Sequence, residues 1–312
     1  MTAEWTVIEV RTALVAALTI SATPGRANLM IPRKRLLYIT TLVVYLCGFP
    51  AVAQITDPAK WLVQGRCADG SPPHHCLFPA PQKIDDPVYY SRHDWPQPNG
   101  YSFSHSTIGP DSSFIQNFRF ADGGYGGQAL YINDDVVVAD KTQDAGKTNT
   151  YYFTGPNCGG TGWIMFDVNV PTAKWAERLA TLGKSDDRQS CGRNYPAWTR
   201  TRRDNIAFPF IENDQPRRLS VDTIVSEHYD NRDPIAARLM ERFYYGYNWG
   251  WLRWERWEKK GTPPSDLPQR CPYVSLSGYP SGGGENWRMV DCRMWTNIRI
   301  EDGDSTAQIG WP

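Results

Sequence analysis

The chain has 312 residues with 33 basic and 33 acidic side chains, and therefore no formal net charge at neutral pH. That balance excludes the broad positive field used to attract nucleic acid, so no nucleic-acid partner is expected. A content of 13 Trp, 16 Tyr, 26 Gly and 24 Pro describes many short strands and turns rather than a helical bundle. The expected fold class is all-β and predominantly antiparallel: a β-sandwich or jelly-roll-like single domain over residues 101–312, with one short helix and a Pro-rich, disulfide-bonded N-terminal segment over 54–100.

In chain order, residues 30–53 read as a signal peptide. Pro32-Arg33-Lys34-Arg35 supplies a basic region, Leu36 to Val52 an apolar one, and Ala51-Val52-Ala53 a small-x-small cleavage site before Gln54. Met30 then reads as the initiator and residues 1–29 as an upstream extension, although the apolar run Ala13 to Ala22 argues the other way. The apolar region is short for a membrane span, so the expected location is secreted or periplasmic, with no span after cleavage.

Beyond the signal lie Cys67, Cys76, Cys158, Cys191, Cys271 and Cys292. An even set in an exported chain reads as three disulfides. Nearest-neighbour pairing is the expectation: 67 with 76, 158 with 191, and 271 with 292. Residues 54–100 are rich in Pro and show no sustained periodicity, which implies an irregular segment laid on the domain surface. His74-His75-Cys76 with Cys67 has the chemistry of a metal cluster but not the spacing of a common zinc motif. The oxidising compartment favours the disulfide there, and no metal or other cofactor is expected.

Strand signals begin at Tyr101. Ser113 to Phe120 alternates, and after a Gly-rich turn come Ala129 to Ile132, Val136 to Val138, Tyr151 to Phe153 and Trp163 to Val170. The Gly-rich turn is not followed by a helical pattern, so it is not a phosphate-cradling loop. Pro171 and Thr172 open a predicted helix, with Trp175, Leu179 and Leu182 on one face and Gly183 to stop it. Arg200-Thr201-Arg202-Arg203 reads as a solvated basic loop. Strands resume at Ile206 to Ile211 and Leu219 to Tyr229, ending in Ser226-Glu227-His228-Tyr229-Asp230, a cluster of acid and base groups. Asp233-Pro234 has the form of a capped helix start, so any helix there is short and ends before Tyr244.

The densest aromatic and charged stretch is Glu241 to Glu258, ERFYYGYNWGWLRWERWE. It reads as a hairpin. A two-residue loop at Asn248 and Trp249 sets Arg242 opposite Glu255 and Glu241 opposite Arg256, two oppositely charged pairs. A three-residue loop with left-handed Gly250 would instead set Arg242 against Arg256. In the preferred register Phe243, Tyr245, Tyr247, Leu252 and Trp254 form a core face. Arg242, Tyr244, Trp251, Arg253, Glu255 and Trp257 form the other, a mixture that buries poorly and suits a polar ring-shaped ligand. Residues 271–312 add strands at Tyr273 to Leu276 and Met294 to Ile300.

These residues predict a secreted carbohydrate-active enzyme that cleaves an extracellular polysaccharide, with a polysaccharide or oligosaccharide as partner. Hydrolysis requires two carboxylates: Glu255 with Glu227, Asp230 or Glu241. Cleavage by β-elimination uses Arg242 and Arg253 against a uronic carboxylate, and Tyr244 or His228 to move the proton. Trp251, Trp257 and Asp230 complete the expected substrate contacts. The alternatives are a non-catalytic glycan-binding or cell-surface protein on the same scaffold, and a hairpin that is simply core. The E-x-D-x-x-E strand pattern of one large hydrolase group is absent, as is a G-x-S-x-G nucleophile elbow. Nothing in the sequence sets an oligomeric state.

Overall fold

The computed structural model describes residues 57–81, 88–91, 101–108, 114–120, 125–133, 135–143, 149–155, 157–212, 215–260, 274, 280–281, 284–294 and 297–302. The expected signal segment, the extension before it, Cys271 and most of the predicted strand at 273–276 lie outside these residues.

The described chain is mostly antiparallel β-sheet. A short helix, α1 (Ala59–Leu62), precedes β1 (Gly65–Arg66), β2 (Ala80–Pro81) and β3 (Val88–Ser91). Then come β4 (Tyr101–Ile108), β5 (Phe114–Phe120), β6 (Tyr125–Asn133), β7 (Val136–Gln143), β8 (Thr150–Gly155), β9 (Gly160–Thr161) and β10 (Trp163–Asp167). The second half holds β11 (Ala176–Ser185), β12 (Arg193–Glu212), β13 (Gln215–Tyr229), β14 (Leu239–Gly246), β15 (Gly250–Lys259), β16 (Trp287–Met294) and β17 (Asn297–Asp302).

A 15-stranded sheet runs β16-β15-β14-β13-β12-β11-β8-β7-β6-β5-β4, with β9 and β10 attached to β8 and β7, and β17 bridging β12 and β3. Every step of this path joins strands that are consecutive in the chain except β8 to β11, where β9 and β10 intervene. The core forms because the meander curls: Phe166 of β10 lies 5.1 Å from Tyr245 of β14, and Trp163 lies 5.7 Å from Phe243. Leu130, Val137, Ala139, Met165, Ile224 and Trp251 join them in one buried cluster. Strand alternation is a local signal, whereas curvature accumulated over many strands is not written in any one of them.

The hairpin register matches expectation, by another route. Arg242 pairs with Glu255 and Glu241 with Arg256, yet Gly246 pairs with Gly250, which makes the loop Tyr247, Asn248 and Trp249. Asn248 and Gly250 take the left-handed φ values of 63° and 65° that such a reversal demands. A bulge between Tyr244 and Tyr245 then skips Leu252 and restores the charged register. It also exchanges two side chains between faces. Trp251 packs in the concave core, and Leu252 joins Tyr244, Val221 and Val225 on the opposite side.

Several local expectations are corrected. The stretch read as a helix after Pro171 is β11, paired with β12 from Ala176↔Thr201 to Lys184↔Arg193 and with β8. Its AERLA segment favours helix locally, but two-sided pairing outweighs intrinsic propensity, and Leu179, assigned to a buried helical face, is 52% exposed. Arg200 to Arg203 form no loop; they lie inside β12, where Arg200 meets Glu227 and Arg203 meets Asp222. At Asp233 the cap forms, its carboxylate accepting from the Ile235 N–H at 2.8 Å, but the chain makes one turn before β14. The N-terminal segment goes deeper than a surface strap: Trp61, Leu62 and Val63 are buried in the main core. The Gly65 N–H donates to the Asn248 carbonyl at 2.9 Å, docking this segment on the hairpin turn.

Both disulfides that fall wholly within the described residues are the expected ones, Cys67–Cys76 and Cys158–Cys191. Cys292 is also disulfide-bonded, to a partner outside the described residues.

Candidate functional site

The face expected to hold a ligand is closed. Glu227 on β13, Arg242 on β14, and Arg253 and Glu255 on β15 are each at most 2% exposed. The reason is their mutual register: Glu227 pairs with Arg242, and Arg242 with Glu255, so every carboxylate meets a guanidinium. Glu227 accepts from Arg200 Nε at 2.5 Å, from Tyr229 Oη at 2.6 Å and from Arg242 Nη2 at 2.7 Å. Glu255 accepts from Arg253 Nε at 2.7 Å, Trp257 Nε1 at 2.9 Å, Tyr244 Oη at 3.0 Å and Arg242 Nη1 at 3.1 Å.

A row of alternating charge, Arg200-Glu227-Arg242-Glu255-Arg253, therefore runs across four strands. Its rings add to the enclosure, with the Arg242 guanidinium 5.4 Å from the Trp257 ring centre. The sequence reading held that this mixture buries poorly. It buries well because the opposed charges and the indole and phenol donors satisfy one another. Burial alone would raise the Glu227 carboxyl, but Arg242 and Arg200 outweigh it and hold it below the ordinary range. Glu255 is depressed likewise, burial being overcome by Arg253 and Arg242. Burial pushes the Tyr244 hydroxyl up.

The opposite, concave face encloses a cavity of about 440 Å³, within the usual range of about 300–1,000 Å³ for small-ligand pockets. Of the expected site residues, His228, Asp230 and Trp251 line it; Glu227, Tyr244, Arg242, Arg253, Glu255 and Trp257 do not. Its apolar wall is aromatic: Trp163, Phe243, Trp251 and Trp254, with the phenols of Tyr152 and Tyr195. Its charged groups are Glu241 and Arg256, directly paired across β14 and β15, together with Asp230, Lys184 and Asp291. Burial raises both phenols, and the nearby Glu241 carboxylate raises them further. Half-exposed Tyr195, Glu241, Trp254 and Arg256 carry this lining from the buried aromatic floor out to solvent.

His228 sits in the wall as a neutral ring. Trp163 Nε1, which can only donate, lies 2.7 Å from His228 Nδ1, so that nitrogen is unprotonated and the proton is on Nε2, 2.9 Å from Ser226 Oγ. Burial lowers its imidazole to about 3. At neutral pH it holds Trp163 in place and is not poised to exchange a proton.

Sequence reasoning missed Trp163, Tyr152 and Tyr195 because they enter from β8, β10 and β12, distant in the chain. Glu241 and Arg256 were legible: alternation puts Glu241 on the face of Phe243, and Arg256 on that of Trp254. No protein-family model, curated protein or solved structure compared with this chain matches it.

Proposed function

We propose that the protein binds a carbohydrate, one or two sugar rings of an oligosaccharide or polysaccharide, in the concave cavity. The observation that carries this reading is that four aromatic rings and the paired charges of Glu241 and Arg256 line one space. Aromatic faces stack on the C–H faces of a sugar, and a carboxylate beside a guanidinium offers acceptors and donors to its hydroxyls. Asp230 and Lys184, both exposed, add polar groups where a longer glycan would leave the cavity. Export to an oxidising compartment belongs with this reading and is supported by the disulfides. No helix among the described residues is long and apolar enough to cross a membrane.

The catalytic form of the proposal uses the same cavity. Asp230 and Glu241, both among the residues predicted for acid and base work, line it together, as two carboxylates at a glycosidic bond must. Glu227 and Glu255 take no part in this version, since their oxygens are committed to the buried network.

The experiment is a titration of the protein with neutral and uronic-acid oligosaccharides, followed by tryptophan fluorescence, with reducing ends and ultraviolet absorbance of unsaturated sugars read on the same samples. Binding that is lost in Trp254→Ala and Glu241→Gln supports the proposal. New reducing ends lost in Glu241→Gln and Asp230→Asn identify a hydrolase, and unsaturated product identifies a lyase. Absence of both binding and product across the panel overturns the carbohydrate reading.

A further inference from the structure

The Cys67–Cys76 disulfide closes a small loop whose turn, Pro73–His75, presents two adjacent histidines to the tip of the long β12–β13 hairpin. His74 Nε2 lies 3.0 Å and His75 Nε2 2.9 Å from the same oxygen, Glu212 Oε1. One ligand atom from each of the three lies within 4.8 Å of the others. We propose that His74, His75 and Glu212 form a binding site for a divalent transition-metal ion, best suited to Zn²⁺.

The geometry separates this from an ordinary His–carboxylate contact. His74 Nδ1 and Nε2 and Glu212 Oε1 are buried yet have no hydrogen-bond partner among the described residues, despite their short separations. Two imidazole nitrogens thus converge on one carboxylate oxygen at 3.0 and 2.9 Å without a well-aligned hydrogen bond, an arrangement that a cation would satisfy. Two ligands of one tetrahedral Zn²⁺, each about 2.1 Å from it, stand about 3.4 Å apart. The two histidine-to-Glu212 separations fall about half an ångström short of that, and all three ligand atoms lie within 4.8 Å of one another, so adjustment of the side chains admits the ion.

Two imidazoles and one carboxylate are a borderline donor set that suits zinc and its neighbours better than calcium or magnesium. The fourth position would be taken by water. The His74 ring is fixed against Trp249 at 5.3 Å and Phe210 at 5.8 Å. Because both cysteines are used in the disulfide, they are not ligands. The cluster suspected from sequence thus has its third ligand 137 positions later, at the far end of β12 (212 − 75 = 137). An ion here would pin the N-terminal segment to the hairpin tip.

The test uses the oxidised full chain after EDTA treatment, titrated with Zn²⁺ by calorimetry and with Co²⁺ by visible absorption. One equivalent of Zn²⁺ is expected, with a raised unfolding temperature and a Co²⁺ spectrum free of thiolate charge transfer. His75→Ala and Glu212→Gln should each weaken binding at least tenfold. His74→Ala also removes ring packing, so the half-exposed His75 supplies the variant that leaves the fold intact. No stoichiometric binding, equal binding by both variants, or a thiolate band would each overturn the proposal, independently of any result with saccharides.

Discussion

Arg242 on β14 and Glu255 on β15 stand directly opposite each other, and their side chains meet at 3.1 Å with neither more than 2% exposed. Arg242 also bridges to Glu227 at 2.7 Å, so one guanidinium links two buried carboxylates. Arg242→Met should fill the same space and leave each carboxylate with a single guanidinium, Arg200 for Glu227 and Arg253 for Glu255. A loss of about 3–5 kcal/mol is expected, as for removal of one partner from a buried ion pair. Urea unfolding of the variant checks this; a loss under about 1 kcal/mol, the level of an exposed pair, would show that the network is solvated.

Stability should fall with pH in two stages. The folded-state pKa of His228 is lowered by burial to about 3, against an ordinary 6.5. Between those values the unfolded chain binds the extra proton, so stability is present above about 6.5 and is lost as pH falls, approaching about 1.4 kcal/mol per pH unit. Glu227 and Glu255 are depressed below their ordinary 4.5, so their contribution is present above that value and lost beneath it. Unfolding midpoints near pH 7.5, 5.5 and 3.5 separate the stages, since the first interval carries His228 without the carboxylates and the second adds them. His228→Gln should flatten the first drop and leave the acid-side one; equal slopes in variant and parent would place the first stage elsewhere.

What could be read in the sequence follows from how local each feature is. The charged pairs of the hairpin and the two short-range disulfides depend on residues near in the chain, and the expected register and pairings are present. The faces of Trp251 and Leu252 were inverted because a single bulge reverses alternation beyond it. Residues 172–183 misled because AERLA suits a helix and only the partners on β8 and β12 make it a strand. The cavity was illegible for a further reason: Trp163, Tyr195 and Glu241 share it only after the sheet has curled.

The bulge itself rests on a missing side chain. A Cβ at Gly246 would press on the Leu252 side chain, stand 2.8 Å from Val221 Cγ1 and 3.2 Å from Trp249 Cβ. Gly246→Ala should therefore cost about 1–3 kcal/mol, the range for overpacking. Asn248→Gly, at a φ of 63°, should change stability little, since glycine accepts that conformation freely. Thermal unfolding of the two single variants tests the contrast, and similar effects would show that the reversal, rather than the packing beneath it, sets the register.

The disulfides should differ in weight. Cys158–Cys191 closes a separation of 33 residues and Cys67–Cys76 one of 9. Loop-closure entropy assigns about 4 kcal/mol to the first and about 2.5 kcal/mol to the second. Paired Cys→Ala variants, unfolded in urea with EDTA present, should preserve that order. EDTA matters because opening the shorter loop also releases His74 and His75 from Glu212. A larger loss for the shorter loop without metal would mean that its closure orders more of the N-terminal segment than chain entropy counts.

Trp251 and Trp254 line the same cavity but differ in what else they support. Trp251 is 8% exposed, lies 6.1 Å from Phe243 and donates its indole N–H to the Arg253 carbonyl at 3.0 Å. Trp254 is only half-buried at the edge of the core. Trp251→Ala should remove core and cavity wall together, at about 3–5 kcal/mol, so its loss of saccharide binding would be inseparable from loss of packing. Trp254→Ala should cost about 1 kcal/mol, typical of a partly exposed position, and still lose binding. Unfolding and saccharide titration of both variants settle the assignment: if Trp254→Ala binds as tightly as the parent, the aromatic wall contributes only packing.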